Sequence, residues 1–295
     1  MTAVRSLSER RETKRRPKRG TVSKVAWSIV AIVIALIWAF PVYWMVSSSF
    51  IPNIELQSFI PKFFPVHPTT SNYAGTLADG SFFRALGISL GVTAIAVVGS
   101  LIFAFLAALA ISRFRFRGRI SFLLVLLFIQ MLPAEGLFIA QYKMVASAGL
   151  LNTIIGTSVI YIAYIVPFTV WMLRGFVAGV PAELEEAAMV DGLSRTGAFM
   201  RITFPLLAPG LVAAGVFAFL QAWNEFTVAL VTLTTDQMQT LPLWLRGFVQ
   251  ASATREIDWG QVMAASTLVA VPVIVFFLFV QGRLASGLVS GAVKG

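Results

Sequence analysis

The chain has no cysteine and a single histidine, His67, among its 295 residues. Disulfides, thiolate metal sites and a histidine-rich metal centre are therefore excluded. Charge is scarce as well. Only 12% of residues are charged and 58% are apolar, against roughly 25% charged in an ordinary soluble domain. A soluble fold of this length needs far more polar surface. The G-x-x-x-x-G-K-[ST] phosphate loop is missing, as are a Ser–His pairing, paired catalytic aspartates and a zinc motif. These absences speak against an ATPase and against an intramembrane enzyme. No internal repeat or low-complexity tract is visible.

The net charge of +10 sits mostly at one end: residues 1–24 hold nine basic residues against Glu9 and Glu12. That placement argues against a nucleic-acid surface and for a basic segment beside a membrane. A cleavable signal would need an apolar stretch of only about 7–15 residues and a small-residue cleavage site. Here no charge occurs from Val25 to Ile54, and Trp38, Phe40, Tyr43 and Trp44 stand where cleavage should fall. An uncleaved first span is expected.

A span takes about 20 apolar residues. Uncharged stretches at 25–50, 85–112, 120–134, 144–173, 202–224 and 259–282 predict six, which puts both termini on one side. The third is cut short by Glu135, and apolar character resumes from Leu137 to Ala140. Lys and Arg gather on the cytoplasmic side of membrane proteins. With the N-terminus inside, eighteen basic residues lie inside and five outside, so the termini are expected in the cytoplasm. Residues 51–83, with Pro52, Pro61, Pro65 and Pro68, read as an outer loop. The expected organisation is a basic segment at 1–24 and a six-span membrane domain at 25–295. Pro41 and Pro272 are expected to bend spans one and six, and the arginines at 113–119 to anchor the topology at the headgroups.

The inside loop between spans four and five reads Gly179-Val180-Pro181-Ala182-Glu183-Leu184-Glu185-Glu186-Ala187-Ala188-Met189-Val190-Asp191-Gly192. Pro181 suits the first turn of a helix, the three glutamates suit its positive end, and Gly192 suits a left-handed stop. Eleven helical residues would span roughly 16 Å. A second helix is expected to start at Ser194 and stop before Pro205. An interfacial connector and a docking element for a basic protein both fit the first helix. Its acidic face weighs against resting on anionic lipid.

Glu186-Ala187-Ala188, Gly192, Ile202 and Phe204-Pro205, at their spacing, resemble the EAA loop (about 179–209) of binding-protein-dependent ABC importers, with Phe204 where Leu is usual. Gly149-Leu150-Leu151-Asn152-Thr153, Ala222-Trp223-Asn224-Glu225-Phe226, Asp258-Trp259-Gly260 and the final Gly291-Ala292-Val293-Lys294-Gly295 are similar to carbohydrate-uptake permeases of the maltose-importer kind. The resemblance covers residue 25 to the end. It implies an all-α, type I ABC importer permease fold with six transmembrane helices and a cytoplasmic coupling helix. It further implies coupling to an ATPase through Glu186, Ala187, Ala188, Asp191 and Gly192, and a tail of Val293, Lys294 and Gly295 reaching that ATPase. The implied partners are a second homologous permease, a cytoplasmic ATPase dimer holding ATP and Mg, and an outer sugar-binding protein met by the loop at about 232–258. No cofactor is expected in this chain itself.

Two acids fall at bilayer depth, where a carboxylate costs about 2.5–3.5 kcal/mol and faces a cavity or a partner. Glu135 follows Pro133, which should kink or break span three. Glu225 stands with Trp223 and Asn224, a set suited to a sugar. Contact with substrate along the path and hydrogen bonds to the partner permease are both open for Asn224 and Glu225. A cargo of glycerol phosphoesters on the same framework, or a proton-coupled transporter using Glu135 and Glu225 as relays, are the rival readings. The EAA-like loop and the six-span length weigh against the latter.

Overall fold

A computed structural model of the chain describes residues 19–251 and 257–292. Most of the basic segment and Val293, Lys294 and Gly295 lie outside the described residues, as do residues 252–256 of the outer loop. The described part is helical, with no strand among its residues.

Helix α1 (Arg19–Ser49) leads to two short helices, α2 (Asn53–Leu56) and α3 (Ser71–Leu77), and then to the long α4 (Ser81–Arg113). A broken segment follows, made of α5 (Arg119–Met131), a 3-10 turn at Ala134–Leu137 and α6 (Phe138–Ser147). Next come α7 (Ile154–Gly179), the loop helix α8 (Glu183–Val190), the single turn α9 (Arg195–Ala198) and α10 (Phe204–Trp223). The chain ends with α11 (Thr227–Thr232), α12 (Leu241–Ala251) and α13 (Trp259–Ala292). Five helical stretches are long and apolar enough to cross a membrane: 24–49, 81–113, 154–179, 195–223 and 259–282.

The third predicted span is the broken segment. Pro133 lies at its break and leads into the 3-10 turn, as a residue without an N–H should. The fourth stretch differs from expectation, because 144–173 is not continuous. The chain turns at 148–153 and α7 then runs on to Gly179, since Gly149 and Asn152 take positive φ of 68° and 56° that no helix tolerates.

A larger difference concerns Pro205. The helix begun after Ser194 does not stop before it but passes through a π-helical turn, Phe199–Thr203, into α10. A proline ring clashes with the carbonyl four residues back in a regular helix. One wider turn immediately upstream relieves that clash at the cost of local regularity. Phe105, Phe199 and Phe204 meet around it with ring centroids 6.0–6.4 Å apart. Pro41 and Pro272 lie inside α1 and α13.

In lipid the hydrophobic effect does not draw helices together, so close van der Waals packing of small residues must. The core of the bundle follows that rule. Ala96, Ser100, Ala104 and Ala108 form one buried i, i+4 stripe on α4, and Gly210, Ala214, Ala218 and Ala222 another on α10. Helix α4 packs along α7, and α10 against both. By contrast, 24–43 of α1 is exposed throughout, with Trp27 71% and Trp38 80% accessible. Its final turn is the anchored part, where Ser48 and Ser49 are buried.

The end of the bundle opposite α8 is tied by polar contacts. Asn72 Nδ2 donates to the carbonyls of Ser49 and Ile51, both at 2.9 Å. Asp258 Oδ1 accepts from the Gln261 N–H at 3.0 Å and so caps α13, while the Trp259 N–H donates to Asn53 Oδ1 at 3.0 Å. At the entry to α4, Asp79 accepts from the hydroxyl and then the N–H of Ser81, which hold its carboxyl below the usual range.

Gly260 lies against the Asn72 amide: a Cβ there would sit 2.6 Å from Oδ1. The Asp-Trp-Gly motif is therefore a knot joining α1, α2, α3 and α13. Gly260→Leu should lower the melting temperature of the detergent-solubilised protein, with an overpacking cost of about 1–3 kcal/mol. Gly247→Ala, in open space, should leave it unchanged. Equal melting curves for Gly260→Leu and the parent would remove the knot.

Candidate functional site

Helix α8 is shorter than expected, eight residues in place of eleven. Pro181 precedes the first turn instead of sitting in it, because Ala182 takes the cap position. Its end is as expected. The Leu193 N–H donates to the Ala188 carbonyl at 3.1 Å and the Gly192 N–H to Met189 at 3.1 Å, with Gly192 at φ 92°. That pair of bonds is the Schellman stop, and the left-handed residue favours glycine. Ser194 then starts α9, its Oγ accepting from the Gly197 N–H at 3.1 Å.

The two neighbouring glutamates of α8 divide. Glu185 turns inward: its Oε1 lies 3.3 Å from Arg113 Nη2 at the end of α4 and accepts from Thr203 Oγ1 at 2.8 Å. Thr203 is fully buried in the π turn. The Arg113 contact is an ion pair without hydrogen-bond alignment, and both side chains are less than a fifth exposed. One carboxylate thus joins α8 to α4 and to the root of α10. Arg113, expected as a headgroup anchor, is instead an internal partner of the loop. Ala188 is buried on the same inner face, whereas Glu186, Ala187, Asp191 and Gly192 are exposed. Of the five coupling candidates, four form an outward edge and Ala188 packs inward.

The second locus is the break between α10 and α11. A cavity of about 270 Å³ there is lined by Gln141, Tyr161, Tyr164, Gln221, Asn224, Glu225 and Thr227, with Phe138, Phe226 and Val228. Lys and Arg do not occur in that lining. Glu225 is held within its own chain: Oε1 accepts from the Val228 N–H at 2.7 Å and Oε2 from the Ala229 N–H at 3.1 Å. It caps the first turn of α11, satisfying amides that hydrocarbon would leave bare. The Tyr161 hydroxyl donates to its backbone carbonyl at 3.3 Å. The Asn224 amide donates to the Leu220 carbonyl at 2.8 Å.

Trp223 does not join them. It is 2% exposed, stacked on Phe219 at 5.5 Å and 20°, in the core with Phe82 and Trp244. Residues 222 and 223 fall on the packed side of α10, between Gln221 and Asn224, which both meet the cavity. Glu135 falls in the 3-10 turn, and its side chain lies outside the described residues. Gln141, Tyr164 and Gln221 were missed as lining residues. Gln221 could have been found, since it stands three and four positions before Asn224 and Glu225 on one helical face.

The Gly149–Thr153 motif serves the loop that follows α11. Asn152 Oδ1 accepts from the N–H groups of Thr234 and Thr235 at 2.7 and 3.1 Å. Its own N–H donates to the Thr232 carbonyl at 2.9 Å. Thr153 caps α7 by accepting from the Gly156 N–H at 3.0 Å. The start of the 232–258 loop is therefore pinned to the head of α7.

The family model described as the binding-protein-dependent transport system inner membrane component matches residues 100–289. The diacetylchitobiose uptake system permease protein DasC of Streptomyces coelicolor is 41% identical, over 94% of this chain and 100% of the relative. The trehalose transport system permease protein SugB of Mycobacterium tuberculosis is 32% identical, over 91% and 97%. The trehalose/maltose transport system permease protein MalG of Thermococcus litoralis is 32% identical, over 93% and 98%. In fold, the chain is similar to a chain of a bacterial ABC transporter involved in the import of the acidic polysaccharide alginate, with TM-score 0.73 and 23% identity over 90% and 98% of the two chains. With a match across most of its length and a motif loop folded as that resemblance implied, the chain belongs to the binding-protein-dependent transport system inner membrane components.

Proposed function

We propose that the chain is one permease subunit of an ATP-driven importer of oligosaccharides, supplying half of the path and receiving its power stroke through α8. The observation that carries this reading is the division of Glu185 from Glu186. A helix with an exposed acidic edge is bonded on its other face to two spans. Such a helix is built to take a load from a basic cleft and pass it inward.

On this reading a separate ATPase dimer binds ATP and Mg and closes on the Glu186–Ala187 edge. The load passes through Glu185 to α4 and to the π turn, and so to α10. A helix of 20 residues extends about 30 Å, which carries the displacement from the loop to Asn224 and Glu225 at its far end. A second, homologous permease completes the path, and a sugar-binding protein docks outside near the pinned loop. The tail Val293–Gly295 reaches the ATPase, and both termini lie in the cytoplasm, as the skew of basic residues favours.

Sugar is the cargo supported best. The relatives above are named for diacetylchitobiose, trehalose or trehalose and maltose. The cavity at α10–α11 offers amides, phenols and a carboxylate with no cation, which suits neutral hydroxyls and disfavours a phosphoester. In reconstituted transport, unlabelled oligosaccharides should compete for uptake and glycerol phosphoesters should not. The reverse pattern would overturn the sugar assignment.

Glu186→Lys should insert normally yet lose the co-purifying ATPase and at least about tenfold of uptake, a cost of about 1.4 kcal/mol or more. Glu185→Ala should keep the ATPase but transport less per ATP hydrolysed, because it cuts the inner joint. Wild-type behaviour of Glu186→Lys in both assays would defeat the docking role.

Glu225→Ala leaves two amides of α11 without their acceptor, at about 1–3 kcal/mol. It should lower both thermal stability and uptake. Glu225→Gln keeps one carbonyl acceptor and should recover most of the stability. A fully stable Glu225→Ala would show that the cap contributes little.

A further inference from the structure

On the α8 side of the bundle, but away from that helix, lies a second basic feature that the coupling reading does not use. A cavity of about 430 Å³ opens between the start of α5 and the end of α7. Arg115, Arg119 and Arg174 line it, with Phe116, Ile120 and Ser121, and the lining holds no Asp or Glu. None of these arginines has an acidic partner among the described residues. Arg174 rests over the Trp171 ring at 5.4 Å, which orients the guanidinium without neutralising it.

The same cavity meets the N-terminus of α5, a 13-residue helix whose first turn holds no acidic residue and starts with Arg119. Gly118 precedes it and supplies no side-chain cap. The leading amides and the helix dipole present positive charge there. Three guanidiniums added to that end repel one another and the dipole unless an anion sits among them. Arginine forks and helix N-termini both match phosphate oxygens.

The surroundings choose the source of the phosphate. Ile120, at the mouth, is 73% exposed, and below it Leu124, Val125 and Phe128 are 59%, 53% and 64% exposed. This continuous apolar strip along α5 is fit to hold acyl chains beneath a headgroup. The cleft beside α8, in contrast, sets Glu185 and Glu186 against Arg113 and Arg195, so its charges balance within the chain.

We propose that this cavity binds the phosphodiester headgroup of an anionic phosphoglycerol lipid, with its acyl chains along the exposed face of α5. Arg119 and Arg174 grip the phosphate from two helices, Arg115 closes the loop side, and Ser121 is placed to meet the glycerol hydroxyls. The role is independent of the transported cargo. A filled site would splint the start of α5 to the end of α7, at the opposite end of α5 from the break at Pro133.

The test is native mass spectrometry of the full-length protein, delipidated in neutral detergent and titrated with phosphatidylglycerol or phosphatidylcholine. Phosphatidylglycerol should be retained, and Arg119→Gln/Arg174→Gln should weaken its retention at least about tenfold. Arg117→Gln, in the same loop but outside the lining, should not change it. Equal loss in Arg117→Gln, or equal retention of phosphatidylcholine, would overturn the site. Displacement of the lipid by an equal concentration of inorganic phosphate would assign the cavity to free anions and overturn the lipid proposal. Should the double variant fail to fold, Arg115→Gln and Arg174→Gln, on separate elements, each decide it: retention must fall several-fold or the proposal fails.

Discussion

A backbone amide in hydrocarbon has no water to bond, and leaving it bare costs several kcal/mol. The bundle is arranged around that constraint. Long helices satisfy their own amides, so the informative places are where a helix must break at depth. At Pro133 the chain spends a 3-10 turn. Before Pro205 it widens into a π turn. After Trp223 it spends a carboxylate, with Glu225 accepting two N–H groups of α11. A group that costs energy at that depth is kept because it satisfies two others that cost as much. Glu225 is then both a structural cap and a polar wall of the cavity, and the two roles share one conformation.

The same economy shapes the loop on the α8 side. An eight-residue helix is too short to be stable alone. It is held by the Schellman stop at Gly192 and by the contacts of Glu185 with Arg113 and Thr203. Because the acceptor of those contacts is one residue from the exposed Glu186, the outer edge cannot shift without moving the ends of α4 and α10. On the proposed coupling, stiffness at this joint would let the loop pass a load inward instead of absorbing it.

The five long apolar helices and the stop at Gly192 were legible in the sequence because hydropathy and a left-handed glycine are local signals. The break of span three was legible for the same reason, from Pro133. Pro205 misled because a proline signals a helix end only when the turn before it is regular, and nothing local announces a π turn. Trp223 misled because adjacency in sequence is not adjacency on a helix: one residue separates the core face from the cavity face. Glu185 and Glu186 look alike in sequence, and their division depends on where Arg113 and Thr203 come to rest, 72 and 18 residues away. Tertiary contacts of that range leave no periodic trace.

The arginines on the α8 side make the same point about charge. Counting them gives an expected orientation, since the count depends only on which loops they occupy. Their chemistry depends on what stands within a few ångströms. Arg113 meets a carboxylate, Arg195 an aromatic ring at 5.9 Å, and Arg119 a helix N-terminus in a cavity without acids. The first neutralises its charge inside the protein and the second stacks it. Only the third leaves positive charge concentrated at an apolar boundary, where the membrane itself offers the counter-ion. A topology signal is thus a sum over residues that individually do different things, and the sum conceals those, such as Arg119, that meet no acid within the described chain.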